Sequence, residues 1–241
     1  DEIIFVNGDD KRSCETLDVW IKALYTCGAD WSLDTNCDKV KVYYNPWEER
    51  LGKNMYFLQK NIAISHATCD YVLRLDADEI IHEDDHEKIL KVVKLGHDAY
   101  LFRVMHFWRD FEHIKTGENE ADPNQNWYER RVHLFKNNLG IHDGHDKHGN
   151  YTDSLITCDY ETVYDFALPT SIRVFHLGHV REKDVYLKKK NQIERAFHPE
   201  WKDLSEWDWN MTNTIKYDDT LPNVLTERVE KHKFKHKEWY E

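Results

Sequence analysis

Nowhere in the 241 residues do about 18 apolar positions run together, so no stretch is suited to cross a bilayer as a helix. The five cysteines, at 14, 27, 37, 69 and 158, contain no CxxC pair. Their odd number and scattered spacing argue against a zinc ribbon or a disulfide framework and favour a reducing compartment. Positive charge is in deficit, with 33 Lys and Arg against 45 Asp and Glu and a formal charge of -12. The average surface therefore repels polyanions, which removes nucleic acid and anionic membranes as default partners. No signal-peptide pattern precedes the first charged residues, and a soluble, cytoplasmic protein is expected. The sequons Asn150-Tyr-Thr and Asn210-Met-Thr carry no weight without secretion. There are no repeats, no low-complexity linker and no break in composition. With 40% hydrophobic residues, one domain over 1–241 is expected.

What is present is an alternation of strand and helix patterns. Ile3 to Val6 read as a strand closed by the turn Asn7-Gly8-Asp9-Asp10. Leu17, Trp20, Ile21 and Leu24 have helical spacing, with Gly28 as a stop. KVKVYY (39–44) alternates as a strand up to Asn45-Pro46, and Leu51, Met55, Leu58 and Ile62 predict a helix leading into the strand YVLRL. A further helix is expected over about residues 84–94, with Ile89, Leu90 and Val93 on one face. This alternation predicts a mostly parallel sheet covered on both faces, binding ligands at the carboxyl ends of its strands. Beyond residue 98 the texture changes. AYLFRVMHFW, RRVHLF and SIRVF read as strands, IHDGHDKHGNY as a loop, and about 184–196 as a charged helix before a Trp-rich tail.

The strand YVLRL runs straight into Asp76-Ala77-Asp78-Glu79. Two carboxylates at alternate positions where a strand ends suit a hard divalent cation that keeps open positions for phosphate oxygens. Acidic residues also favour helix N-termini, where they cap. On these residues alone the two readings stand level.

Several stretches, in order, resemble the family-2 glycosyltransferases of the GT-A fold. DEIIFVNG is similar to the family's second strand, and YYNPW to a strand end of its lipopolysaccharide-core-type members. KNIAISHATCDYVLRLDADEII (60–81) follows the family pattern into an LDADE motif without a gap. WYERRVHLF resembles the later Arg-rich strand and FHLGHVRE the C-terminal His-x-Gly motif. The resemblance implies an α/β GT-A fold: a nucleotide-sugar-binding half over 1–98 and a smaller antiparallel acceptor-side region with the tail over 99–241. The family's first strand has no counterpart, and its removal ahead of Asp1 is expected.

By the same resemblance, Asp78 ligates Mn²⁺ or Mg²⁺, and Asp76 contacts the ribose or the metal. Glu79 orients the site, and His176 joins the metal shell or the diphosphate. Lys60 keeps the charge but not the bidentate fork of the family's Arg-Asn pair. Asn7 replaces the usual Asp beside the nucleotide. Arg181 reads as a diphosphate clamp or as a solvated charge at a helix start, and His179 as a structural histidine. His142, His145 and His148 alternate with Asp143 and Asp146 in a loop that is either solvent-exposed or a loose match to the family's acceptor-side Gly-x-x-His-Glu element. A base for inverting transfer is sought among Asp146, Glu129 and Asp143, in that order for the first two. Trp108, Trp127, Trp201, Trp207 and Trp209 are either an acceptor platform or core packing.

The expected function is metal-dependent sugar transfer from a nucleotide-diphospho-sugar to a hydroxyl on a glycan, lipid-linked or other acceptor. A nucleotidyltransferase or sugar-nucleotide hydrolase on a related sheet, or a non-catalytic binding module, are the alternatives.

Overall fold

A computed structural model describes residues 2–7, 40–46, 54–116, 128–145, 151–197, 200–203, 211 and 213–240. In chain order its strands are β1 (Ile3–Asn7), β2 (Val40–Tyr44), β3 (Tyr71–Leu73), β4 (Glu79–Ile81), β5 (Ala99–Trp108), β6 (His113–Lys115), β7 (Arg130–Lys136), β8 (His142–His145), β9 (Tyr151–Ile156), β10 (Leu168–His179) and β11 (Thr214–Lys216). The helices are α1 (Asn54–Ser65), α2 (His86–Leu95), α3 (Val163–Phe166), α4 (Lys183–Phe197) and α5 (Thr226–Lys235). The helix expected around Leu17–Leu24 lies outside the described residues. The chain divides into two compact units, one of residues 1–72 and 137–161 and one of 73–136 and 162–241.

In the first unit β1 and β2 pair in parallel, from Ile3 beside Val40 to Asn7 beside Tyr44. Helix α1 buries Met55 and Phe57, while Leu58, expected on its inner face, is 39% exposed. The helix instead presents Asn61, whose amide accepts the Asp143 N–H and donates to the Asp143 carbonyl, both at 2.8 Å. This two-way clamp holds an extended backbone where a loop was expected. Residues His142–His145 form β8, antiparallel to β9. A side-chain amide satisfying both backbone groups of one residue acts like a neighbouring strand there.

The second unit is built on a mixed sheet ordered β11-β6-β5-β10-β4, with β7 lying along the first half of β5. Among the described residues β5–β10 and β1–β2 are parallel, and antiparallel pairs outnumber them. The mostly parallel sheet expected from the strand–helix alternation is therefore met only in part. The departures are β4, which was not expected as a strand and pairs antiparallel with β10, and the parallel pairing of β5 with β10 inside the region expected to be antiparallel.

Strand β5 is buried on both faces apart from Arg103, which accounts for its unbroken apolar run. Met105, Phe107, Phe111, Phe175, Leu177, Tyr217 and Val229 form the core around it, and Phe107 stacks on Phe175 at 5.6 Å. Helix α2 stops at Gly96, whose φ of +75° and N–H to the Val93 carbonyl make a left-handed cap. Leu90, expected on its buried face, is 62% exposed. Asp85, just ahead of α2, is fully buried and accepts from Arg173 N at 2.8 Å and Arg173 Nε at 2.9 Å, and from Lys88. No helix among the described residues is long and apolar enough to cross a membrane.

Candidate metal centre

The acidic segment is a turn between two strands, so it cannot cap a helix. The Glu79 N–H donates to the Asp76 carbonyl at 3.0 Å, and the Asp76 N–H donates back to Glu79 Oε2 at 2.8 Å. These reciprocal bonds close Asp76-Ala77-Asp78-Glu79 on itself and leave the Asp76 and Asp78 side chains to project. Glu79 is 3% exposed. Burial, with the Asp76 charge beside it, pushes its pKa up to about 7 against the pull of Arg131. Arg131 on β7 donates to Asp76 Oδ2 at 3.1 Å and lies 3.7 Å from Glu79 Oε1. Next to it, His133 Nδ1 donates to the Arg74 carbonyl at 2.9 Å, and the His133 carbonyl accepts the Arg74 N–H at 2.8 Å, which anchors the chain just ahead of the turn.

Strand β10 brings the other half of the site alongside. In its register His176 sits between Glu79 of β4 and His106 of β5, and the Leu177 N–H donates to the Asp78 carbonyl at 2.8 Å. Four residues of β10, from His176 to His179, face three of β5, from His106 to Trp108. The extra residue is a bulge, and it brings the two histidine rings to 5.0 Å from each other.

Gly178 lies within the bulge, and a Cβ there would fall 2.7 Å from His176 Nε2 and 2.8 Å from Asp78 Oδ2. Glycine thus keeps open the space those two atoms face. His176 Nε2 is 3.7 Å from Asp78 Oδ1.

Cations ring the Asp78 carboxylate. Lys189 of α4 donates to its Oδ2 at 3.0 Å, and Arg181 stands 3.7 Å away. Arg228 of α5 interacts electrostatically with both Arg181 and Asp78. Burial opposes the charge of Asp78, but Lys189 and His176 outweigh it and hold the carboxyl below its usual range. The histidine pKa values are lowered too, which for them favours the neutral form. Burial lowers His176; burial and His176 push His106 down to about 3; and burial, with His176 and His106 nearby, holds His179 well below its ordinary value. His106 Nδ1 is 2.9 Å from His176 Nδ1, and His106 Nε2 is 3.0 Å from the Tyr128 carbonyl. Suitable nitrogens of His106, His176 and His179 all lie within 4.8 Å of one another.

Of the residues expected from sequence, Asp76, Asp78, His176 and Arg181 meet here. Arg181 is not merely a solvated charge at a helix start, because it faces Asp78. Glu129 is exposed, and its carbonyl accepts the Val104 N–H at 2.9 Å. Asn7 and the half-buried Lys60 belong to the first unit, at the end of β1 and within α1. Asp146, His148, Trp127, Trp207 and Trp209 lie outside the described residues. Trp108 is core rather than platform: it is buried, edge-on to Tyr186 at 5.7 Å. Sequence reasoning did not single out His106, Arg131 and Lys189. Only Arg131 left a trace, in the Arg-rich strand.

The donor set can be tested for fit to a divalent cation. A carboxylate oxygen and an imidazole nitrogen 3.7 Å apart can both reach one ion, since metal–ligand bonds of about 2.1 Å span that gap from either side. No side chain grows from Gly178 into the space, and the Lys189 ammonium shows that it stabilises positive charge. The residues fit.

Residues 1–151 match the sequence model of glycosyl transferase family 2. No curated protein matches the chain. The match includes Asp76, Asp78, His106 and Arg131 and ends before His176, Arg181 and Lys189.

Proposed function

The chain belongs to glycosyl transferase family 2, and from that membership we propose that it moves a sugar from a nucleotide-diphospho-sugar to an acceptor hydroxyl in a metal-dependent, inverting reaction. In this reading residues 1–241 form one GT-A domain of the lipopolysaccharide-core type, with 1–98 as the donor-binding half. The observation that carries the reading is the glycine-lined gap between Asp78 and His176, ringed by Lys189, Arg181 and Arg228.

Asp78 and His176, with Asp76 beside them, would hold Mn²⁺ or Mg²⁺. When bound, such an ion neutralises charge on a diphosphate. The protein's own groups do the rest. Lys189, Arg181 and Arg228 present positive charge where the leaving diphosphate becomes more negative. Interactions that strengthen in that direction lower the barrier rather than merely tightening binding. Arg131 and Glu79 fix Asp76 from its side chain and its backbone respectively, so its orientation is set before the donor arrives. Asn7 and Lys60, both in the first unit, are assigned to the nucleotide by the family resemblance alone. Inversion requires a carboxylate to take the acceptor proton on the face opposite the diphosphate; Asp146, then Glu129, are assigned to it.

The test is a thermal-shift screen of nucleotide sugars with and without Mn²⁺, run on the wild type and Asp78→Asn. A true donor raises the wild-type midpoint, more strongly with Mn²⁺, because binding to the native state stabilises it. Asp78→Asn should lose the Mn²⁺-dependent increment and transfer activity while still melting cooperatively. An equal Mn²⁺ increment in both proteins would refute the assignment of Asp78.

A further inference from the structure

Two hydrogen bonds determine which nitrogen of His176 carries its proton. The Tyr128 carbonyl can only accept, so the 3.0 Å contact to His106 Nε2 requires a proton on Nε2. His106 is 3% exposed, and a second proton would bury a positive charge within the sheet. Its Nδ1 is therefore a lone pair. That nitrogen lies 2.9 Å from His176 Nδ1, and a bond of that length needs one proton between the two atoms. His176 must supply it. A neutral His176 protonated at Nδ1 has its lone pair at Nε2, the atom that faces Asp78 across Gly178.

Strand register makes this chain of donors possible. His176 and His106 are partners in the parallel pairing of β10 with β5, and their rings stand edge to face at 5.1 Å. Tyr128, just ahead of β7, also packs edge-on to the His106 ring at 4.6 Å. His106 is thus held between a backbone carbonyl and the histidine it serves, with no freedom to turn. Were His176 protonated at Nε2 instead, an N–H would point into the gap and exclude a metal ion.

We propose that His106 is a positioning residue for the cation site: anchored on the Tyr128 carbonyl, it accepts the Nδ1 proton of His176 and so presents the His176 Nε2 lone pair beside the Asp78 carboxylate. The proposal rests on the reading of Asp78 and His176 as cation ligands. A metal-binding histidine whose other nitrogen is fixed in this way loses about 10- to 100-fold in metal affinity when the fixing partner is removed.

Two measurements on the full chain test it, neither of which needs turnover. The ¹⁵N shifts of the wild-type histidine side chains in the metal-free protein should show His176 protonated at Nδ1 and His106 at Nε2. Mn²⁺ affinity, read from the free-ion electron paramagnetic resonance signal, should fall about 10- to 100-fold in His106→Leu. It should return close to the wild-type value in His106→Asn, whose Oδ1 supplies an acceptor near the place of Nδ1. Wild-type His176 protonated at Nε2 would overturn the proposal, and so would His106→Leu binding Mn²⁺ as tightly as the wild type while His176→Ala binds it weakly. If Asp78→Asn and His176→Ala both leave Mn²⁺ affinity unchanged, the cation-site reading itself fails, whatever the tautomers are. Should His106→Leu not fold, the wild-type shifts alone decide.

Discussion

Gly178→Ala adds one methyl group at the most constrained point of the site. Its Cβ would lie 2.7 Å from His176 Nε2 and 2.8 Å from Asp78 Oδ2, where ordinary contact begins at 3.4 Å. Each atom must retreat by about 0.6–0.7 Å, and the methyl remains in the gap between them. Overpacking of this kind costs about 1–3 kcal/mol. Both clashing groups are side-chain ends with some exposure, so the cost should fall toward the lower end and the protein should remain folded. Cation affinity should suffer more, by at least about 10-fold, because both ligands are displaced at once and about 1.4 kcal/mol is already a factor of ten. Mn²⁺ titration followed by electron paramagnetic resonance measures the affinity, and thermal melts measure stability. Adding Gly178→Ala to Asp78→Ala should cost less than adding it to the wild type, since one of the two clashes is already gone and mutations in contact are not additive. Wild-type Mn²⁺ affinity in Gly178→Ala would refute the claim that this space seats the ion. Full additivity would refute the clash itself.

Two further outcomes follow from the charges around the site and beneath it. Lys189→Met removes the ammonium that occupies Asp78 Oδ2 in the metal-free protein; Mn²⁺ should bind several-fold more tightly, while kcat/KM should fall as the diphosphate loses a cation. Tighter binding together with unchanged kcat/KM would show that Lys189 competes with the ion but does not touch the donor. Asp85, fully buried against Arg173, has its carboxyl held below the ordinary value, as the bonds from Arg173 and Lys88 outweigh burial. A carboxylate whose folded pKa is depressed contributes stability that is present above its unfolded value, about 3.9, and is lost as pH falls through the folded value. Asp85→Asn should cost about 1–3 kcal/mol at neutral pH, because Arg173 loses one charged partner but keeps Asp219 at 2.8 Å, and its stability should depend less on pH below about 4 than that of the wild type. Parallel acid-melt curves for the two proteins would refute this.

Much of the fold was legible because its signals are local. The apolar run of β5, the charged run of α4 and the spacing of Ile89 and Val93 in α2 are each contained within a few residues, and each element lies close to where it was expected. Pairing direction is not local. Nothing in AYLFRVMHFW or SIRVF says whether the two strands run parallel or antiparallel, and their parallel pairing departs from the antiparallel region expected over 99–241. Strand β8 was missed for a related reason. His, Asp and Gly residues are poor strand formers, and the group that holds them extended is the amide of Asn61, 82 positions away.

The same distinction separates the parts of the site. Asp76, Asp78 and Glu79 share one turn, so their proximity is written in consecutive letters; even so, a helix cap stood level with a cation cradle until the turn was seen to end in a strand. His106 stood inside an apolar run where a histidine reads as a tolerated core residue. Its meaning depends on a partner 70 positions later and on a register in which a slip of one residue would replace His176 with Phe175 or Leu177. The Tyr128 carbonyl is a still harder case, because a backbone acceptor has no side-chain identity for a sequence to display. A motif therefore marks the groups that touch a ligand, while the groups that set their protonation are found only where strands bring them together. For this chain the consequence is concrete: a substitution along β5 that shifts its register on β10 by one residue should lower Mn²⁺ affinity about 10- to 100-fold, as the loss of His106 does, while every letter of the acidic motif remains in place.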